Sequence, residues 1–275
     1  MILSYNPVIF TIGKFDVRWY SVFILLGVIV GISLFEKEGT KHAINKDFLF
    51  NMAFWTIIFG IIGARIYYVI FNIHLYKDDI WSIFKIWEGG LAIHGAIITG
   101  FITIAFYCFK YKFPLLKLLD MVVPSLIIGQ AIGRWGNFFN GEAHGMQTTL
   151  EFFKKLHIPS FIIKGMEING VYYEPTFLYE SIICLIGFLI IILMRRFNKY
   201  LKVGALTSFY LMWYSLCRFF IEWRRTDSLM LGGFKTAQVI SIVLFVIGFI
   251  LFIVKARKSK YEDLYSEDYN QKIQF

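Results

Sequence analysis

The apolar positions of this chain come in long unbroken runs, with neither the three-to-four-residue stripe of a soluble helix nor the alternation of a half-buried strand. Seven runs predict helices: Trp19 to Phe35, Phe48 to Phe71, Leu91 to Phe109, Leu118 to Phe139, Thr176 to Met194, Val203 to Ile221 and Ala237 to Val254. Each is near the ~20 residues that cover a bilayer core. Lipid offers no partner to backbone N–H and C=O groups, so a spanning segment is a helix or part of a closed barrel, and the missing alternation argues against the barrel. The expected fold class is an all-α integral membrane protein with about seven transmembrane helices.

Composition agrees, with 57% hydrophobic, 19% aromatic and only 17% charged residues among 275. Charge adds an orientation. With the N-terminus outside, the inner segments hold fourteen Lys and Arg residues and the outer segments ten, so the C-terminus is expected on the cytoplasmic side. The surplus of +9 then reads as anchoring charge against anionic membrane lipid, and nothing in it calls for nucleic acid. The first run has no basic segment before Lys14 and no small-residue cleavage pattern after it, which predicts a retained helix instead of a signal peptide. Cys108, Cys184 and Cys217 all fall within predicted spans and are expected to pack there, not to form disulfides. Residues 1–255 are expected to form one transmembrane domain with an outer-face cap at about 141–175, between the fourth and fifth helices. Residues 256–275 read as a polar cytoplasmic tail.

On this topology the polar residues of the spans gather at one face. Tyr20 opens the first helix, Arg65 lies in the outer half of the second, and His94 lies just inside the outer end of the third. Arg134 and Asn137 close the fourth, Glu142 follows it, Tyr179 and Glu180 begin the fifth, and Tyr214 and Arg218 lie toward the outer end of the sixth. Asp120 sits at the opposite end, where a polar helix start accounts for it. The plain alternative for each Arg is snorkelling to the headgroups, for Arg65 above all, and for His94 it is a hydrogen-bonded packing role.

Guanidinium groups pair bidentately with phosphate and keep their charge at ordinary pH. A cluster of them opening toward one leaflet points to a phospholipid headgroup, and His94 is the side chain suited to take a proton near neutrality. No His-Glu-x-x-His spacing, Gly-x-Ser-x-Gly elbow or Walker loop is present, so the nucleophile is expected to belong to a second substrate.

The run Gly133 to Gly145 resembles the signature of the prolipoprotein diacylglyceryl transferase family, Gly-Arg-x-Gly-Asn-Phe-x-Asn-x-Glu-x-x-Gly, at every fixed position. Four further blocks fit the family in order: Arg18-Trp19-Tyr20, Gly63-Ala64-Arg65, Glu88 to Gly95, and Tyr214-x-x-x-Arg218-x-x-x-Glu222. The resemblance implies a bacterial cytoplasmic-membrane enzyme, active near the outer leaflet. Such an enzyme moves the diacylglyceryl group of phosphatidylglycerol onto the lipobox Cys of a prolipoprotein signal peptide, forming a thioether and releasing glycerol phosphate. It also implies that Arg134 and Arg218 are essential, that Tyr20, His94, Asn137, Glu142 and Tyr214 are functionally important, and that no metal or other cofactor is needed. Arg134, Arg218, His94 and Tyr20 are the expected catalytic groups. Arg134, Arg218, Asn137, Glu142, Tyr214 and Arg65 are expected to bind phosphatidylglycerol, with the chain working as a monomer. One departure stands out: before Pro175-Thr176-x-Leu178-Tyr179-Glu180 the family commonly has His, and this chain has Glu174. The alternatives are a lipid-headgroup carrier using the same arginines without chemistry, a second enzymatic reading as an acyl or phosphoryl-headgroup transferase with a Ser or Asp nucleophile, and a structural scaffold, which would need no intramembrane Arg.

Overall fold

A computed structural model of the chain describes residues 5–13, 15–226, 230–258 and Tyr265. Each predicted apolar run is a helix: α1 (Trp19–Lys41), α2 (Lys46–Phe71), α3 (Ile93–Lys110), α4 (Leu115–Asn140), α7 (Thr176–Phe197), α8 (Ala205–Arg224) and α9 (Thr236–Lys258). Six of these are long and apolar enough to cross a membrane, the exception being α8. At 20 residues α8 would reach about 30 Å at 1.5 Å per residue. It carries Thr207, Ser208, Ser215, Arg218 and Glu222 on a largely buried face, which lowers its hydropathy without shortening it. Most boundaries lie a turn or less beyond the apolar runs, because polar residues continue a helix once its core-facing side is packed.

The chain divides into two units, one drawn from Met1–Leu34 and Leu119–Glu267 and the other from Phe35–Leu118. In the first, α4 is held from both sides. Pro124 has no N–H to give the carbonyl of Asp120 four residues earlier, and Arg195 of α7 donates Nη2 to that oxygen instead, at 3.1 Å. The Asp120 carboxylate does not serve its own helix. It accepts from Gly204 N at 2.6 Å, Thr207 N at 2.8 Å and Thr207 Oγ1 at 2.5 Å, capping the start of α8. The other end of α8 is closed by Lys235, whose Nζ donates to the carbonyls of Glu222 at 2.7 Å and Arg225 at 2.8 Å.

The segment expected as a cap is folded. It holds α5 (Leu150–Lys155), α6 (Ser160–Gly165) and a small antiparallel sheet of β3 (Gln147–Thr148), β5 (Val171–Tyr173) and β4 (Glu167–Ile168), in that spatial order. Phe153, Ile162 and Met166 of this segment bury against Phe138 of α4 and Phe177 of α7, so the cap is built onto the two helix ends it joins. Two short hairpins complete the unit, β1 (Val8–Ile12) with β2 (Phe15–Arg18) and β6 (Met230–Leu231) with β7 (Phe234–Lys235). These strands are too short for an alternation pattern to announce them.

The polar tail read from residue 256 lies mostly outside the described residues. Helix α9 continues through Lys258, past that boundary. Tyr265 is buried, donates its N–H to the Leu201 carbonyl at 2.7 Å and lies under the Arg195 guanidinium.

Candidate active site

Three helices of the first unit bring four charges together. Arg134, in the last two turns of α4, reaches Glu180 of α7 with Nη2 2.5 Å from Oε2. Arg218 of α8 donates Nη1 to both oxygens of the same carboxylate at 3.1 Å, and its Nη2 lies 2.7 Å from Oε2 of Glu222 one turn on. The acids are the buried members, with side-chain exposures of 5% for Glu180 and 3% for Glu222, against 19% for Arg134 and 15% for Arg218. Two carboxylates under two guanidiniums remove the cost of burying lone charges, and the geometry is set from beneath the arginines. Each guanidinium carries five N–H donors in a planar fork, so the observed pairing leaves donors for an anion arriving from the exposed side.

A pocket opens beside this pair between α4, α7 and α8. Glu180, Arg218 and Tyr214 form its polar edge, and Ile127, Ile183 and Ile221 are among its apolar lining. Gln130, also in the lining, donates to Tyr210 Oη at 2.9 Å, and the Tyr210 ring stacks on Tyr214 at 5.9 Å between centroids. Its free space is that of about one water molecule, so it marks a boundary between polar and apolar side chains beside Arg218.

Tyr20 stands in the first turn of α1, within electrostatic reach of Arg134 and Glu142. Its approach depends on Gly136: a Cβ there would lie 3.0 Å from Tyr20 Cδ2 and 3.1 Å from its Cα. This explains one glycine of the Gly133 to Gly145 run as a contact surface between α1 and α4. Asn137 and Glu142 close the end of α4, with Glu142 N donating to the Asn137 carbonyl at 3.0 Å. The Glu142 side chain accepts from Asn140 Nδ2 at 3.1 Å, while the carboxylate on Arg134 is Glu180.

Arg65 and His94 belong to the second unit. His94 is exposed in the first turn of α3, its ring 5.9 Å from that of Tyr67. Arg65 is buried, and its guanidinium faces backbone: Nε to Ile83 O at 2.8 Å, Nη1 to Gly89 O at 2.6 Å and Gly90 O at 3.0 Å, Nη2 to Ser82 O at 2.7 Å. The donors expected to meet a phosphate thus meet carbonyls of the chain itself.

Glu174 has a structural partner. Its carboxylate accepts from Arg224 Nη1 at 3.2 Å, and its backbone joins Gly145 N, Met146 O and Thr176 N, each at 2.9 Å, tying the motif's last glycine to the start of α7. Glu180, at the start of the fifth predicted span, is the hub of the cluster. An acid one turn into an apolar helix is the signal that marked it.

Fold and site together define a polytopic helical membrane protein with a carboxylate-braced arginine pair among its helices. The sequence profile described as prolipoprotein diacylglyceryl transferase matches residues 7–254, and the chain belongs to that family. It is similar to proteins named phosphatidylglycerol--prolipoprotein diacylglyceryl transferase from several bacteria. That of Ligilactobacillus salivarius is 46% identical over 241 residues, covering 88% of this chain and 90% of the relative. That of Staphylococcus saprophyticus is 46% identical over 264 residues, covering 95% and 93%. That of Listeria innocua is 46% identical over 253 residues, covering 92% and 91%.

Proposed function

We propose that this chain transfers the diacylglyceryl group of phosphatidylglycerol to the cysteine thiol of a prolipoprotein lipobox. The observation that carries the reading is the pairing of Arg134 and Arg218 on the one carboxylate of Glu180, in a member of this family. The thiol sulfur bonds to the glycerol carbon that bore the phosphate, the C–O bond to that phosphate breaks, and glycerol phosphate leaves.

Arg134 and Arg218 hold the phosphodiester and stabilise the charge growing on the leaving group, with donors fixed in place before the reaction begins. Glu180 and Glu222 keep both guanidiniums oriented. An ordinary thiol has a pKa near ~8.5, so only a minor fraction is thiolate at neutral pH, and His94 takes the proton as general base. Tyr20 and Tyr214 orient the headgroup, and Asn137 and Glu142 hold the end of α4 that carries Arg134. Arg65 serves the second unit's own backbone.

The setting that fits this chemistry is the bacterial cytoplasmic membrane, with the N-terminus outside, the C-terminus cytoplasmic and the site near the outer leaflet. The chain acts as a monomer and without a cofactor. Purified protein in detergent, given phosphatidylglycerol and a lipobox peptide with one Cys, tests the reading. A diacylglyceryl mass gain that requires the Cys, matched by glycerol phosphate release, is expected. Binding of phosphatidylglycerol with no gain would favour a lipid carrier.

A further inference from the structure

Between α2 and α3 the chain passes through three short helices, Ile73–Tyr76, Ile80–Phe84 and Ile86–Glu88, and turns several of its backbone carbonyls toward α2. Arg65, rising from α2, takes the carbonyls of residues 82, 83, 89 and 90. Both Gly89 and Gly90 adopt positive φ, 93° and 71°, and a Cβ on Gly90 would stand 2.5 Å from Arg65 Nη1, so the turn is shaped around the guanidinium. Asp79 accepts from Trp81 N at 3.1 Å, Ser82 Oγ donates to the Asp79 carbonyl at 2.6 Å, and Lys85 Nζ pairs with the Asp79 carboxylate at 3.0 Å.

The outward face of residues 80–87 carries large apolar side chains, flanked by the solvent-accessible Asp79–Lys85 pair. Trp81 is 77% exposed and Phe84 67%, with Ile80 and Trp87 exposed beside them. Irregular backbone in water needs no buried cation to satisfy its carbonyls, because water does so. At membrane depth it must be satisfied internally. Tryptophan in turn favours the boundary between headgroups and acyl chains. The strap is continuous with two membrane-spanning helices, and exposed Ile66, Ile70 and Phe71 of α2 and Ile93 and Ile97 of α3 extend the same apolar surface.

We propose that residues 80–87 form an interfacial docking surface that inserts Ile80, Trp81, Phe84 and Trp87 into the lipid boundary of the adjoining leaflet, with Arg65 as its internal anchor. The partner is the lipid itself. The inference rests on α2 and α3 crossing a membrane and is independent of the transfer chemistry.

The test uses the full chain in phosphatidylglycerol–phosphatidylcholine vesicles and reads the fluorescence lost in Trp81→Phe. That difference signal is expected to fall by about twofold or more with lipids brominated high on the acyl chain and to resist aqueous iodide. Strong iodide quenching without bromine quenching would place the strap in water, and resistance to both would mean that protein covers it; either overturns the proposal. Arg65→Lys is expected to weaken bromine quenching of the same signal by loosening the strap. Unchanged quenching in a folded Arg65→Lys protein would remove the anchoring role. Should that variant fail to fold, the Trp81 signal still decides whether the strap meets lipid.

Discussion

Arg134 of α4 and Arg218 of α8 meet at one carboxylate, with Glu180 of α7 2.5 Å from the first and 3.1 Å from the second. Three helices are therefore locked by a single acid, and the spacing of the two guanidiniums is a property of α7.

Glu180→Gln tests that lock. Breaking a buried pair by removing one partner costs about 3 kcal/mol or more, because it leaves uncompensated charge in a low-dielectric place. The variant is expected to unfold at a lower temperature in detergent. Turnover should also drop roughly 10-fold or more as the arginines lose their registration. An unaltered unfolding temperature would show that Glu180 carries no such strain.

Gly136→Ala tests the contact of α1 with α4. Overpacking a fitted interface costs about 1–3 kcal/mol, and the added methyl would press on the Tyr20 ring and backbone. Gly133→Ala, three residues earlier, meets only Ile24 Cδ1 at 3.7 Å and should be much milder. Comparing the two in thermal unfolding and turnover separates close approach from any general dislike of alanine in this helix.

Asp120→Ala removes the cap that α4 supplies to α8. The loss of a helix cap is worth about 1–2 kcal/mol, so thermal unfolding should shift downward by a corresponding amount. Thr207→Val, which removes the shortest of the three bonds and leaves the two backbone donors in place, should cost less.

Glu174→Gln should change little. The Arg224 side chain is 60% exposed against 11% for Glu174, and Gln keeps an oxygen that can accept from Arg224, so the loss is expected to be about 1 kcal/mol. What position 174 supplies is its backbone, through three hydrogen bonds that any L residue makes. Unfolding temperature and turnover near those of the parent are expected.

Much of this was legible in the chain. The seven helices follow from unbroken apolar runs, and Arg134 and Arg218 stood out because charge in such runs is costly. The hub at Glu180 was not legible, because pairing between helices depends on rotations about their axes that a one-dimensional pattern does not encode. Arg65 shows the same limit in another way. Its sequence context is that of an intramembrane cation, and only the course of residues 82–90 reveals the backbone carbonyls that accept from it. Asp120 looked like a helix start and instead caps a helix distant in sequence. The cap's short strands were hidden by their length, and its core by being shared with Phe138 and Phe177.

The most direct test of the account is the rate of glycerol phosphate release from phosphatidylglycerol by purified Arg134→Ala protein, in the presence of a Cys-bearing lipobox peptide. If Arg134 stabilises charge on the departing phosphate, turnover falls at least ~100-fold, the worth of roughly 3 kcal/mol of transition-state stabilisation. Release within a few-fold of the parent rate, from protein of parental unfolding temperature, would contradict the phosphate clamp.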